Sequence, residues 1–145
     1  EQEMTLSKRG GIFTNELVIL LLIISIGAAL ARPRVREARL QSLVSAAVAD
    51  MDVVRGAGGD YQASQDEWPA ESDAGVVPTG LSSYLPEGFD FNRSDYILDY
   101  DNWGGTPFEV GVTVITSNAD LGLRLLARLG TAKWTSGNKY SRVIE

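Results

Sequence analysis

Residues 12 to 31, IFTNELVILLLIISIGAALA, constrain this chain more than any other stretch. Twenty residues at helical rise span about 30 Å, the thickness of the hydrocarbon core of a bilayer. From Leu17 to Ala31 every residue is apolar or glycine except Ser25. One carboxylate, Glu16, is set into the leading edge of the run. An ionisable side chain costs about 2.5–3.5 kcal/mol at mid-membrane and less near a helix end, so its presence there marks a functional position. Lys8 and Arg9 precede the run, and Arg32, Arg34, Arg36 and Arg39 follow it, where they would meet lipid headgroups.

The rest of the chain has a different character. From Leu40 onward there are seven Lys or Arg against fifteen Asp or Glu, a net of −8. A head this acidic argues against nucleic acid as a partner, because phosphate-backbone binding needs a basic surface. The 145-residue chain contains no cysteine and no histidine. Disulfides, the common zinc sites and histidine-based acid–base catalysis are thereby excluded. No nucleophile–base pair can be assembled from what remains, and the expectation is a protein that is not an enzyme and carries no cofactor.

The N-terminal run supports three readings. As a secretory signal it has a charged region at Lys8 and Arg9, an apolar region from Leu17 to Ala28, and Ala29-Leu30-Ala31 as an A-x-A cleavage site. As a plain anchor, Ile12 to Ala31 is long enough to cross the membrane. Neither reading uses Gly11 or Glu16. The third uses both: GGIFTNELVILLLIISIG resembles the prepilin signal of type IV pilins and type II secretion pseudopilins.

In that family a prepilin peptidase cuts after a glycine on the cytoplasmic side of the apolar run, and the new N-terminus is methylated. A glutamate stands fifth in the mature chain, and a proline commonly stands twenty-second. The resemblance implies cleavage after Gly11, Ile12 as the new N-terminus, Glu16 at the fifth position and Pro33 at the twenty-second. The mature chain would begin Ile-Phe-Thr where the family usually begins Phe-Thr, and Asn15 replaces the usual Leu or Ile before the glutamate. The chain opens Glu1-Gln2-Glu3 before Met4, and a start at Met4 would leave the short basic leader MTLSKRGG. The implied partners are the peptidase, other pilin or pseudopilin subunits, an inner-membrane assembly platform and the lipid bilayer. The implied location is the bacterial inner membrane, single-pass with a periplasmic head, and then a pilus or pseudopilus fibre.

The residues themselves point the same way. Cutting after Gly11 frees an amine at Ile12, one helical turn from Glu16. Carboxylate and amine would pair within a chain or between axially offset neighbours, because an unpaired Glu16 is penalised in low dielectric. The alternative for Glu16 is a helix-start acid complementing the macrodipole. The alternative for the whole chain is a membrane-anchored or secreted periplasmic binding or sensor domain that does not polymerise.

The expected organisation is a leader at 1–11, a transmembrane and assembly helix at 12–33, and a periplasmic head at 34–145. Within the head, Leu40, Leu43, Val44, Ala47, Val48, Met51 and Val54 follow an i, i+3, i+4 pattern and predict an amphipathic helix over 34–55. Pro33 predicts a kink ahead of it. Gly56-Ala57-Gly58-Gly59 reads as a helix stop; no strand precedes it and no GK[ST] follows, so it is not a phosphate loop. A turn-rich connection over 56–88 contains Trp68-Pro69, Pro78 and Pro86, with one helical turn at 81–85.

Strand signals at 96–100 and 108–115 read as an antiparallel hairpin, followed by a helix from Ala119 to Leu129 capped by Ser117 or Asn118. Segments 133–135 and 140–144 read as a final hairpin. The fold class is α+β and pilin-like: one long N-terminal helix packed on a small antiparallel sheet, with a second short helix. Asp95, Asp99, Asp101 and Asn102 form the densest acidic cluster, a pattern that suits calcium oxygen ligands. Its spacing matches no EF-hand loop, Asp99 and Asp101 read as solvent-facing strand residues, and no metal is assigned.

Overall fold

The computed structural model describes residues 10–105 and 109–144. Residues 1–9 of the expected leader and the expected strand residue Phe108 lie outside that set. The elements run α1 (Gly10–Gln65), β1 (Ile97–Asn102), β2 (Val110–Ile115), α2 (Ala119–Arg128), β3 (Lys133–Ser136) and β4 (Lys139–Val143). The fold is α+β, with a long N-terminal helix, a four-stranded antiparallel sheet and a short second helix, as expected.

Two compact units divide the chain, one ending at Arg39 and the other running from Leu40 to Glu145. The second begins six residues later than the sequence boundary at 34. Residues 34–39 are all exposed, and Leu40 is the first residue to pack against the core. In the first unit the helix remains α-helical on both sides of Pro33, although the proline lacks the N–H that would bond the carbonyl of Ala29.

In the second unit Val44, Ala47, Met51, Val54 and Ala57 of α1 are buried in one cluster with Leu98 and Tyr100 of β1, Val112 and Val114 of β2, and Tyr140 of β4. Leu121, Leu125 and Leu129 of the α2 region join the same cluster. Both helices cover one sheet face. Gly122 of α2 lies against the Tyr140 ring so closely that a Cβ there would sit 2.1 Å from it. Arg142, on the same side of β4 as Tyr140, bonds Asp52 of α1. Asn118 is the residue that caps α2, its side chain accepting from the Leu121 N–H at 3.2 Å.

Gly56-Ala57-Gly58-Gly59 does not stop α1, which continues to Gln65. The apolar stripe continues through the glycines: Ala57 is buried, and the rings of Trp68 and Tyr100 lie beside Gly58. Beyond them Tyr61 packs edge-on against Tyr84, with ring centroids 5.8 Å apart. Burial of that face outweighs about 1 kcal/mol of unfavourable propensity per glycine. The helix stops at Asp66, whose φ of 59° is left-handed and whose N–H reaches the Gln62 carbonyl at 2.8 Å.

The sheet order is β1-β2-β4-β3. Both hairpins exist as expected, but β4 rather than β3 pairs with β2, which leaves β3 at the outer edge. The opposite edge is occupied. Gly75 donates to the Leu98 carbonyl at 2.9 Å, Asn92 bridges Ile97, and the Asn102 side-chain amide donates to the Pro69 carbonyl at 2.9 Å. The segment after α1 is thereby strapped to β1.

One polar clamp ties α1 to the start of β1. Arg93 grips the Asp50 carboxylate with two bonds of 2.9 and 3.0 Å, and the Tyr96 hydroxyl donates to it at 2.7 Å. The Arg93 guanidinium also stacks 4.9 Å from the Phe89 ring centroid. The bond to Asp50 raises the guanidinium pKa, and burial first, then the same carboxylate, raises that of the Tyr96 phenol.

Three stability predictions are read by denaturant unfolding of the full chain in detergent. Asp50→Ala strands a guanidinium and a half-buried hydroxyl and costs about 3 kcal/mol. Asp52→Ala removes a more exposed pair and costs less than about 1 kcal/mol. Gly56→Ala meets no atom within 4 Å and should stabilise by about 0.5–1 kcal/mol. Destabilisation by that alanine would mean that the glycines terminate the helix after all.

Candidate functional site

The N-terminal unit presents an apolar helix whose described residues from Leu17 to Ala29 are exposed. Leu17 to Ile24 and Ile26 are each 53–61% exposed. The segment is long and apolar enough to cross a membrane. A helix apolar on every side is stable only among lipid tails or other apolar helices. Its one hydroxyl is already satisfied, since Ser25 Oγ donates to the Leu21 carbonyl at 2.7 Å. Val18, Leu21, Leu22, Ser25, Ile26 and Ala29 line one shallow groove along this surface.

Gly11, Ile12 and Glu16 fall within the first two turns of α1. Glu16 is exposed. Pro33 lies in the same helix, about 25 Å farther along it, so the structure brings the first three together and leaves Pro33 apart. The arginines at 32, 34, 36 and 39 are exposed beyond the apolar run.

The head contains a second arrangement, on the sheet face opposite the helices. Asp99, Thr113 and Ser141 form one cross-strand row, continued by Trp134 on β3. Thr113 Oγ1 donates to the Asp101 carboxylate and shares a hydrogen bond of 2.6 Å with Ser141 Oγ. Trp103 folds over the same face at Gly111, where a Cβ would lie 2.5 Å from its ring and only glycine fits.

Asp99 was expected to face solvent, and it is only 5% exposed. Period-2 alternation does turn it away from the helices, but that face is itself covered at Asp99, whose row neighbours Thr113 and Ser141 are also buried. Lys139 Nζ is 4.0 Å away, too far for a hydrogen bond. Burial, then the nearby Asp101, raises the Asp99 pKa to about 6 against the partial relief from Lys139; Glu71 and Asp73 add to the rise.

The acidic cluster does not converge. Asp95 accepts from Ser94 at 2.7 Å, Asp101 from Thr113, and the Asn102 backbone N–H turns to Glu71. Among the described residues no three carboxylates are placed to share a cation. Sequence reasoning missed Asp50 and Arg93, which stand 43 positions apart with nothing local to pair them. It also missed the Thr113–Ser141 row, which alternating small hydroxyl residues on two strands signalled only weakly. No family model, characterised protein or solved structure matches the chain.

The buried aspartate makes stability depend on pH. A carboxyl with a folded pKa of about 6, against an ordinary 3.8, binds its proton more tightly when folded. Stability therefore falls as pH rises from about 4 to 6, and the cost of the ionised group is fully present above 6. Asp99→Asn removes that cost. The variant should be more stable than the parent by roughly 2–3 kcal/mol at pH 8, and the two should converge near pH 4. Thermal unfolding across that range measures it, and a variant weaker at pH 8 would show that the Lys139 attraction dominates.

Proposed function

We propose that this chain is a prepilin-type structural subunit of a type IV pilus or type II secretion pseudopilus, processed after Gly11 and polymerised through its N-terminal helix. The observation that carries the reading is Glu16, an exposed carboxylate at the leading edge of an uncovered apolar helix, one turn from Ile12. Its role is assembly rather than catalysis.

Before processing, the helix spans the bacterial inner membrane once, with the head in the periplasm and the arginines beyond Ala31 at the outer headgroups. The prepilin peptidase removes the leader and frees the Ile12 amine. In a fibre the lipid around Leu17–Ile26 is replaced by the same surface of neighbouring subunits, so apolar burial alone favours no particular axial offset. The Glu16 carboxylate supplies the selection. A misregistered subunit leaves it unpaired in low dielectric, and breaking such a pair costs about 3–5 kcal/mol. The correct register gives it an amine. Other subunits and the inner-membrane assembly platform are the working partners, and the acidic head has no role in binding nucleic acid.

Mass spectrometry of the mature N-terminus tests the processing step. Ile12 supports the subunit, Arg32 a secreted head, and an uncut chain a simple anchor that never polymerises. Glu16→Ala then tests the register step: it should be cleaved normally yet fall at least tenfold in the sheared-fibre fraction. Normal incorporation of that variant would sink the pairing mechanism.

A further inference from the structure

The head's net charge of −8 conceals a strong internal asymmetry. Residues 60–109 contain eleven Asp or Glu and one Arg; residues 119–142 contain five Lys or Arg and one Asp. The sheet order separates part of the two sets in space, although Lys139 reaches to 4.0 Å from Asp99 and Arg142 is paired with Asp52. At the β1 edge lie Asp99 and Asp101 together with the strap, whose Asp66, Glu67, Glu71 and Asp73 are all exposed. Lys133 on β3 and Arg124 and Arg128 on α2 are exposed. Lys133 Nζ donates to the Leu126 carbonyl at 3.1 Å, which ties β3 and α2 into one surface.

The two edges also differ in what covers them. The β1 edge is closed by the strap through Gly75 and Asn102. All four residues of β3 are exposed, and among the described residues no strand pairs with its outer side. An open strand edge is a place where another chain docks unless charge or bulk prevents it. Apolar features match across the two edges as well. Trp134 of β3 is 44% exposed, and Val76 of the strap is 52% exposed, lining a shallow hollow with Glu71, Ser72 and Asp73.

We propose that the β3 edge of one copy docks end-on against the 66–76 strap of a second copy, with Trp134 seated against Val76 from the face opposite the helices and the Arg128 and Lys133 cations reaching Glu71 and Asp73 across the edge from the helix face. The occupant is a second copy of this chain because the chain itself carries both complementary surfaces. A contact between two different patches is heterologous: each copy keeps one free edge of each sign, so the interaction propagates instead of closing into a dimer. Like edges repel, which suppresses the symmetric β3-to-β3 pairing that an open strand otherwise invites. Trp134 is the anchor and the charges set orientation and encounter rate. The contact rests on the assembly reading only in that the N-terminal helices bring neighbouring copies together.

The chain has no native cysteine, which makes cross-linking clean. Full-length Ala74→Cys and Ser136→Cys chains are oxidised in membranes, separately and co-expressed. Co-expression should yield a covalent dimer, each variant alone should stay monomeric, and both cysteines in one chain should give a ladder. Glu71→Lys with Asp73→Lys should cut the ladder at least fivefold, and adding Arg128→Glu with Lys133→Glu to that chain should restore it. A dimer from Ser136→Cys alone, or no cross-link in any combination, overturns the proposal. If fibres with an Ile12 N-terminus form without the cross-link, this contact alone is wrong. If the ladder forms on chains that keep their leader, the contact stands and the processing reading fails.

Discussion

The head depends on one constraint: the apolar stripe of α1 from Val44 to Ala57 has to be covered. The sheet supplies Leu98, Tyr100, Val112, Val114 and Tyr140 as the cover, and α2 adds Leu121 and Leu125. The Asp50 carboxylate then fixes the approach, because two residues ahead of β1 converge on it with hydrogen bonds of 2.7–3.0 Å. Apolar burial is non-directional and would tolerate a helix rotated or slid by a fraction of a turn. A half-buried carboxylate with three specific donors does not. The same helix has no such cover between Leu17 and Ile26, so its first half needs another environment.

Much of this was legible because it is local. Helical spacing from Leu40 to Val54, β-branched runs around β1 and β2, and an asparagine before α2 are signals carried within a dozen residues. What was not legible depended on contacts across the fold. The glycines at 56–59 have the composition of a stop, yet Trp68 and Tyr100 lie beside Gly58 and hold the helix together. Asp66 carries the left-handed turn that glycine usually provides. Pairing of β4 with β2 could not be read from two hairpin signals, since either strand of the second hairpin satisfies the pattern. Asp99 alternated correctly, but alternation says which way a residue faces and not whether that face is covered.

The residues proposed for assembly show the opposite balance. Gly11, Ile12, Glu16 and Pro33 are defined by counting along one helix, so their spacing was complete in the sequence. The structure adds the exposed apolar surface around Glu16, which turns a carboxylate with a count into a carboxylate with a physical problem to solve. The charge asymmetry of the head behaves differently again. Its composition is visible in the chain, but its meaning needs the order β1-β2-β4-β3, which puts the acid-rich strap and β1 at one edge of the sheet and Lys133 at the other.

These two surfaces divide an assembly problem between different kinds of physics. Apolar helix packing supplies most of the cohesion and almost no direction, because a lipid-like surface fits its neighbours at many offsets. Under the proposed assembly, register comes from a sparse polar feature, and Glu16 is the ionisable group at the head of the run. In such a fibre, orientation about the axis would come from outside the helices. The proposed meeting of Trp134 and cations with a strap of Val76 and carboxylates would provide it at short range, because salt screens exposed charges beyond about 8 Å at physiological ionic strength. The charges thus act only once the helices have brought the heads within contact range. In the proposed assembly, helix association comes first and head docking second.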